Sequence, residues 1–175
     1  MNFLKSFFKQ EFTIETYEGS GCIFTDGKQI LSGYQPKGPY ISGLGGKREC
    51  GENYHQTAMR ETAEELFDIT PSDELIKELQ TIPYSKQFMN GSYSILVYSF
   101  DDLLLFMKII KKHIDNSSLY THFPETLIEL ILNRKIIDTA EVHQLYLLPI
   151  NSELHIDKNF IKDLSLLLII NRQKN

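Results

Sequence analysis

Gly46-Lys47-Arg48-Glu49-Cys50-Gly51-Glu52, then seven residues to Met59, then Arg60-Glu61-Thr62-Ala63-Glu64-Glu65, is the stretch on which the reading of this chain turns. In a helix each residue advances about 100°, so with Glu61 at zero, Glu64 falls near 300° and Glu65 near 40°. The three carboxylates share one face. Met59, Thr62, Ala63 and Leu66 fall on the other, which is apolar or small and suited to a core. Like charges three and four residues apart cost a helix a few tenths of a kcal/mol per pair. No Lys or Arg follows at a spacing that would neutralise them, so a counter-charge is expected from elsewhere. Clustered carboxylate oxygens are hard donors that suit Mg²⁺ or Mn²⁺, ions that work on phosphate groups. The competing reading is a solvated acidic helix face.

Working outward, Cys22-Ile23-Phe24, a turn at Asp26-Gly27 and Ile30-Leu31 predict a β-hairpin. Residues 35–46 contain Pro36, Pro39 and glycines 38, 43, 45 and 46, which predicts an exposed loop. A helix is expected over Asn53 to Phe67 and a strand over Ser92 to Phe100. Asp101-Asp102 would cap a helix from Leu103 to Ile114, and Pro124-Glu125 opens a second apolar-periodic stretch, Leu127 to Leu132. Gln144 to Leu148 reads as a strand. Asp157 opens a last helix with Phe160, Ile161, Leu164, Leu167 and Leu168 at helical spacing. The result is an α+β chain with a helical insertion around residues 101–134.

The chain has 175 residues and a net charge of −5, with 18 Lys plus Arg against 23 Asp plus Glu. That suffices for one domain, residues 1–175, and gives no overall pull toward nucleic acid or anionic lipid. Cys22 and Cys50 are too few for a disulfide framework, so a reducing, cytoplasmic setting is expected. Met1 to Phe8 reads as a short amphipathic helix, because Lys5 and Lys9-Gln10-Glu11 interrupt the apolar run. Leu164 to Ile170 is too short to span a bilayer, so no membrane association is expected. The P-loop, G-x-G-x-x-G and G-x-S-x-G patterns are absent.

The segment from Gly46 to Asp68 resembles the signature of the Nudix hydrolase superfamily, matching at Gly46, Glu52, Arg60, Glu61, Glu64 and Glu65. It departs at Thr62, Phe67 and Asp68, which stand where the signature has an aliphatic residue, a glycine and an aliphatic residue. Without that glycine the helix loses its easiest left-handed cap, a conformation Asp68 can take at modest cost. The resemblance implies an α/β/α sandwich with a mixed sheet, and a hydrolase that cleaves the diphosphate of a nucleoside diphosphate linked to another moiety. It implies that Glu61, Glu64 and Glu65 bind Mg²⁺ or Mn²⁺ with the carbonyl of Gly45, while Arg60 and Glu52 pair and hold the loop against the helix.

The resemblance also implies a further acid from a later loop. Glu141, just before the strand at Gln144, is the candidate, with Asp138, Asp101 and Asp102 as competitors. Lys47 is read evenly as a phosphate contact or a surface residue. Tyr84 lies at the position where related dinucleoside polyphosphate hydrolases carry a landmark, and Pro83 at the position for ADP-ribose hydrolases. Tyr34, Tyr40, Tyr84 and Phe88 are candidates to stack a base. Histidines 55, 113, 122, 143 and 155 show no metal-ligand spacing. The partner expected is a small nucleotide substrate, with capped RNA admitted as another and a homodimer as an assembly. The alternative is a non-catalytic nucleotide- or protein-binding module.

Overall fold

The computed structural model describes residues 17–38, 40–114, 116–151 and 156–172. The helix expected at Met1 to Phe8, along with Pro39 and His155, lies outside them. Among the described residues, seven strands and five helices follow in the order β1 (Gly19–Phe24), β2 (Gln29–Gln35), β3 (Tyr40–Ser42), β4 (Leu44–Lys47), α1 (Tyr54–Phe67), α2 (Asp73–Leu79), β5 (Lys86–Asn90), β6 (Tyr93–Tyr98), α3 (Phe100–His113), α4 (Leu127–Leu132), β7 (Gln144–Pro149) and α5 (Lys158–Arg172).

A four-stranded mixed sheet runs β4-β1-β6-β5, with β1 parallel to β6 and antiparallel to β4; a three-stranded antiparallel sheet runs β3-β2-β7. Side chains alternate between the faces of a strand, and this alternation divides the core. Cys22, Phe24, Leu96 and Tyr98 point to the side of α1, α2 and α3, while Ile23, Ile95 and Val97 point to the side of α5, against Phe160, Leu164 and Leu167. The mixed sheet is thus covered by helices on both faces.

The hairpin expected at residues 21–33 is not one. β1 and β2 lie in different sheets and meet only at the bridge Thr25↔Ile30. The Asp-Gly turn does form, with Asp26 Oδ1 accepting from the N–H groups of Lys28 and Gln29 and Gly27 at φ 87°, but it carries the chain from one sheet to the other. The loop expected over residues 35–46 contains β3 and β4. Here glycine serves close approach: Gly21 and Gly45 stand opposite each other in the β1–β4 register, and a Cβ on either would overlap the other strand and the Tyr93 hydroxyl.

α2 and β5 were not anticipated. The helix beginning at Phe100 is capped by Ser99 rather than by Asp101-Asp102. Ser99 Oγ accepts from Asp102 N, and Asp102 Oδ2 accepts in return from Ser99 N at 2.8 Å. The 101–134 segment is built into the main core: Leu103, Phe106, Ile110, Leu119, Tyr120 and Leu130 are all buried in it. No helix of the described residues is long and apolar enough to cross a membrane.

Candidate active site

α1 starts from a reciprocal cap. Asn53 Oδ1 accepts from the N–H groups of His55 and Gln56, and Gln56 Oε1 accepts from Asn53 N. Immediately before it, Glu52 accepts from Thr57 Oγ1 and Glu49 N, which fixes its carboxylate toward Arg60. The Arg60 fork is fully used. Nε donates to Glu52 Oε1 at 2.6 Å, Nη2 to Glu52 Oε2 and to the Lys47 carbonyl, and Nη1 to Glu61 Oε1 and Glu64 Oε2, each at 3.0 Å. The counter-charge for the glutamates therefore comes in part from Arg60 itself, at i−1 and i−4, and so from a preceding residue rather than a following one.

The three glutamates sit at graded depth. Glu64 is about a third exposed, Glu61 mostly covered, and Glu65 only 4% exposed. Glu65 Oε2 accepts from Gly45 N at 2.7 Å, and Gln35 Nε2 lies 3.5 Å from its other oxygen. Burial lifts the Glu65 carboxyl well above the usual range, against the Gly45 hydrogen bond and with the charges of Glu141 and Glu61 adding to the lift. Burial also raises Glu61 and Glu64, with Arg60 opposing it. Glu52 goes the other way: burial works to raise it, but hydrogen bonds from Arg60, Glu49 and Thr57 win and hold it low.

Glu141 is exposed and joins this cluster. It lines, with Glu61, a cleft of about 890 Å³, and with Glu61, Glu64, Glu65 and Asp68 a smaller one of about 270 Å³. Asp101 and Asp102 are spent on the start of α3, and Asp138 lines neither cleft. Lys47 lines the larger cleft. Gly45 meets the cluster through its N–H.

Tyr84 is not brought to the cleft. Its ring packs edge-on against His55 and Tyr98, and its hydroxyl lies 3.4 Å from that of Tyr54, beside the start of α1. The ring is held between His55 of α1 and Tyr98 of β6, on the helix side of the mixed sheet. Of the other aromatics proposed for stacking, Tyr40 lines the cleft, while Phe88 packs into the α5-side core. His55 is half-buried on Tyr98 Oη at 3.0 Å and held low by burial.

A hard divalent cation suits these oxygen donors in kind. Gly46 provides a cradle for one of them, since a Cβ there would occupy the place of the Glu61 carboxylate. Among the described residues, however, no three His, Cys, Asp or Glu side chains close around a single point, and Glu61 and Glu64 each give one oxygen to Arg60.

The exit of α1 explains the departures at its end. Asp68 adopts the left-handed conformation, φ 53° and ψ 49°, with its N–H on the Glu64 carbonyl. Phe67 stacks on Phe123 with ring centroids 4.9 Å apart, and its carbonyl accepts from Ser117 Oγ. Arg134 donates to the carbonyls of Glu65, Leu66 and Val142. Nothing in the sequence distinguishes Arg134 from a surface arginine, and it went unnoticed there. Tyr93, Asn90 and Asp163, which line the far part of the larger cleft, were also missed. Asn90 Nδ2 donates to Asp163 Oδ1 at 2.6 Å, and burial, opposed by that bond, pushes the Asp163 carboxyl up to about 6.

No family model matches the chain, and neither does any curated protein. Among solved structures, it is similar to a bifunctional NMN adenylyltransferase/ADP ribose pyrophosphatase from Francisella tularensis, complexed with AMP and a Mn ion. Identity there is 13% over 87% of this chain and 41% of that one, with a TM-score of 0.48. The chain thus spans about two fifths of that enzyme's length. A NUDIX family hydrolase from Clostridium perfringens is 14% identical over 87% of this chain and 98% of its own, with a TM-score of 0.39. A MutT/nudix family protein from Enterococcus faecalis is 9% identical over 76% of this chain and 44% of its own, with a TM-score of 0.35. The solved structures that this chain is similar to thus include Nudix hydrolases, the superfamily whose signature residues 46–68 resemble.

Proposed function

We propose that this chain is a divalent-cation-dependent hydrolase of the diphosphate linkage in a nucleoside diphosphate joined to a second moiety. The observation that carries the reading is Glu65, a carboxylate sunk in the fold, held by a strand N–H and sharing the smaller cleft with Glu61 and Glu141, which also line the larger one. A buried acid among other acids destabilises a protein, and a cation that enters the cluster removes that cost.

Glu61, Glu64, Glu65 and the Gly45 carbonyl would hold Mg²⁺ or Mn²⁺. Such an ion neutralises diphosphate oxygens and makes the phosphate a better leaving group. The residues of the chain do the rest. Arg60 and Glu52 fix the helix against the β4 exit, Lys47 contacts a phosphate oxygen, and Glu141 takes the proton of an attacking water at its carboxylate. The second moiety lies along the cleft toward Tyr40, Phe160 and the Asn90–Asp163 pair. Two free thiols, buried Cys22 and exposed Cys50, suit a reducing cytoplasm.

Turnover of nucleotide sugars, dinucleoside polyphosphates, ADP-ribose, oxidised nucleotides and capped RNA, each with Mg²⁺ and with Mn²⁺, tests the reading. Cleavage of one substrate that falls at least ~100-fold in Glu65→Gln supports it. The closed ion pairs of Arg60 with Glu61 and Glu64 favour a second reading, a module that binds nucleotide without cleaving it. Tight nucleotide binding with no turnover under either metal would select that one.

A further inference from the structure

The glutamate helix ends on a clamp supplied from far along the chain. The last carbonyls of α1 need partners once the helix stops. Asp68 N serves the Glu64 carbonyl and Ser117 Oγ the Phe67 carbonyl. Arg134 takes the two between: Nη2 donates to Glu65 O at 2.6 Å and Nη1 to Leu66 O at 2.8 Å. A cation at a helix C-terminus is also favoured by the helix dipole.

The same Nη2 donates at 2.6 Å to the carbonyl of Val142, the residue after Glu141. The Val142 side chain is buried against Gly33, where any Cβ would collide with it. Beyond it, His143 N donates to Tyr34 O at 2.9 Å, where β7 begins to pair with β2. On the other side of Glu141, Ala140 N closes a turn on Ile137 O. Glu141 therefore stands at the end of a surface connection that is packed on the α1-side core through Ala140 and Val142 and hydrogen-bonded to the end of α1 by a guanidinium that grips the backbone of Glu65 itself.

We infer that Arg134 is a positioning residue: it sets the Glu141 carboxylate against Glu61 and Glu65 by clamping the carbonyl of Val142 to the end of α1. It requires the planar fork, because Nη1 and Nη2 between them reach three carbonyls on two segments, which the single ammonium of lysine does not do. The inference rests on the hydrolase reading for the use of Glu141, but the clamp itself is a matter of backbone contacts.

The experiment compares wild type, Arg134→Met and Arg134→Lys, alone and combined with Glu141→Gln, by two readouts. The first is amide hydrogen exchange of residues 135–143 without metal. The second is Mn²⁺ affinity by electron paramagnetic resonance. Faster exchange in 135–143 is expected for both Arg134 variants, and Mn²⁺ affinity is expected to fall about 10-fold, because the Glu141 charge, once released from its place beside Glu61 and Glu65, no longer adds to the attraction the cation meets. In the Glu141→Gln background the Arg134 changes should weaken Mn²⁺ by less than about 3-fold further, because the residue they act through has gone.

Unchanged exchange in 135–143, or a full-sized Mn²⁺ loss that persists in the Glu141→Gln background, would overturn the inference. Should Arg134→Met fail to fold, Arg134→Lys carries both readouts. Faster exchange in a protein whose wild type binds no Mn²⁺ would overturn the placing of the Glu141 charge beside a cation site and, separately, the hydrolase reading, leaving only a backbone clamp.

Discussion

Replacing Arg60 with methionine keeps the length of the side chain and removes its charge and all five of its donated hydrogen bonds. The Arg60 side chain is 9% exposed, and the carboxylates it serves are 13% (Glu52), 14% (Glu61) and 34% (Glu64) exposed. Removing one partner of a buried ion pair costs about 3–5 kcal/mol because the remaining charge is left without compensation. Glu64 keeps enough solvent to be discounted almost entirely. The balance rests on Glu52 and Glu61, and the expected loss is about 3 kcal/mol.

Urea denaturation at pH 7 in EDTA measures it. The deficit should shrink as pH falls toward 4.5, because carboxylates left without the guanidinium bind protons more tightly in the folded chain than in the unfolded one. It should also shrink with millimolar Mn²⁺, which offers those oxygens a replacement cation. A loss below about 1 kcal/mol, or a deficit that does not change between pH 7 and 4.5, would refute the argument that Arg60 is the main counter-charge of the cluster.

Glu65→Gln should abolish turnover yet raise the metal-free Tm. The folded chain holds the Glu65 proton more tightly than the unfolded chain, so the wild type loses stability as pH rises, and the gain in Tm from Gln should be absent at pH 4 and grow steadily toward pH 8. Asp163→Asn follows the same sign. With the carboxyl pushed up to about 6, the wild type is penalised as pH rises from the unfolded value through 6, and the variant should melt higher at pH 8 by the equivalent of about 1–2 kcal/mol and no higher at pH 4. Gly46→Ala places a methyl where the Glu61 carboxylate lies, the mobile end of a side chain. Denaturation should register under about 1 kcal/mol, while steady-state kcat/KM falls about 10- to 100-fold.

The glutamate helix was legible because two independent patterns, a charged face and a small apolar face, agree over the same turns. β6, β7 and α5 were legible for the same reason, as unbroken periodic runs. What was not legible depends on partners distant in sequence. A turn of Asp26-Gly27 looks the same whether the strands beside it pair with each other or leave for two sheets. The glycines of 43–46 look like loop until Gly21 comes up against them across a sheet. At the site, the closeness of Glu61, Glu64 and Glu65 was a matter of helical arithmetic. The placement of Tyr84 on His55, and of Asn90 on Asp163, was decided by packing between segments that no local pattern connects.

The end of α1 has a consequence for the order in which the chain can become structured. Asp68, Phe67, Leu66 and Glu65 receive their contacts from Ser117, Ser118, Phe123 and Arg134, about fifty to seventy positions downstream. A nascent chain that has produced only the first hundred residues can begin this helix at Asn53 and turn it at Asp68, but it lacks the partners of the Glu65, Leu66 and Phe67 carbonyls. Contacts of such long separation form late, after the entropy of closing the intervening loop has been met. The last turn, which carries Glu65, should therefore be among the final parts of the molecule to settle, and it should fray whenever the 117–134 segment lifts away. Occupancy of the acidic site would then report on the docking of a distant stretch of chain.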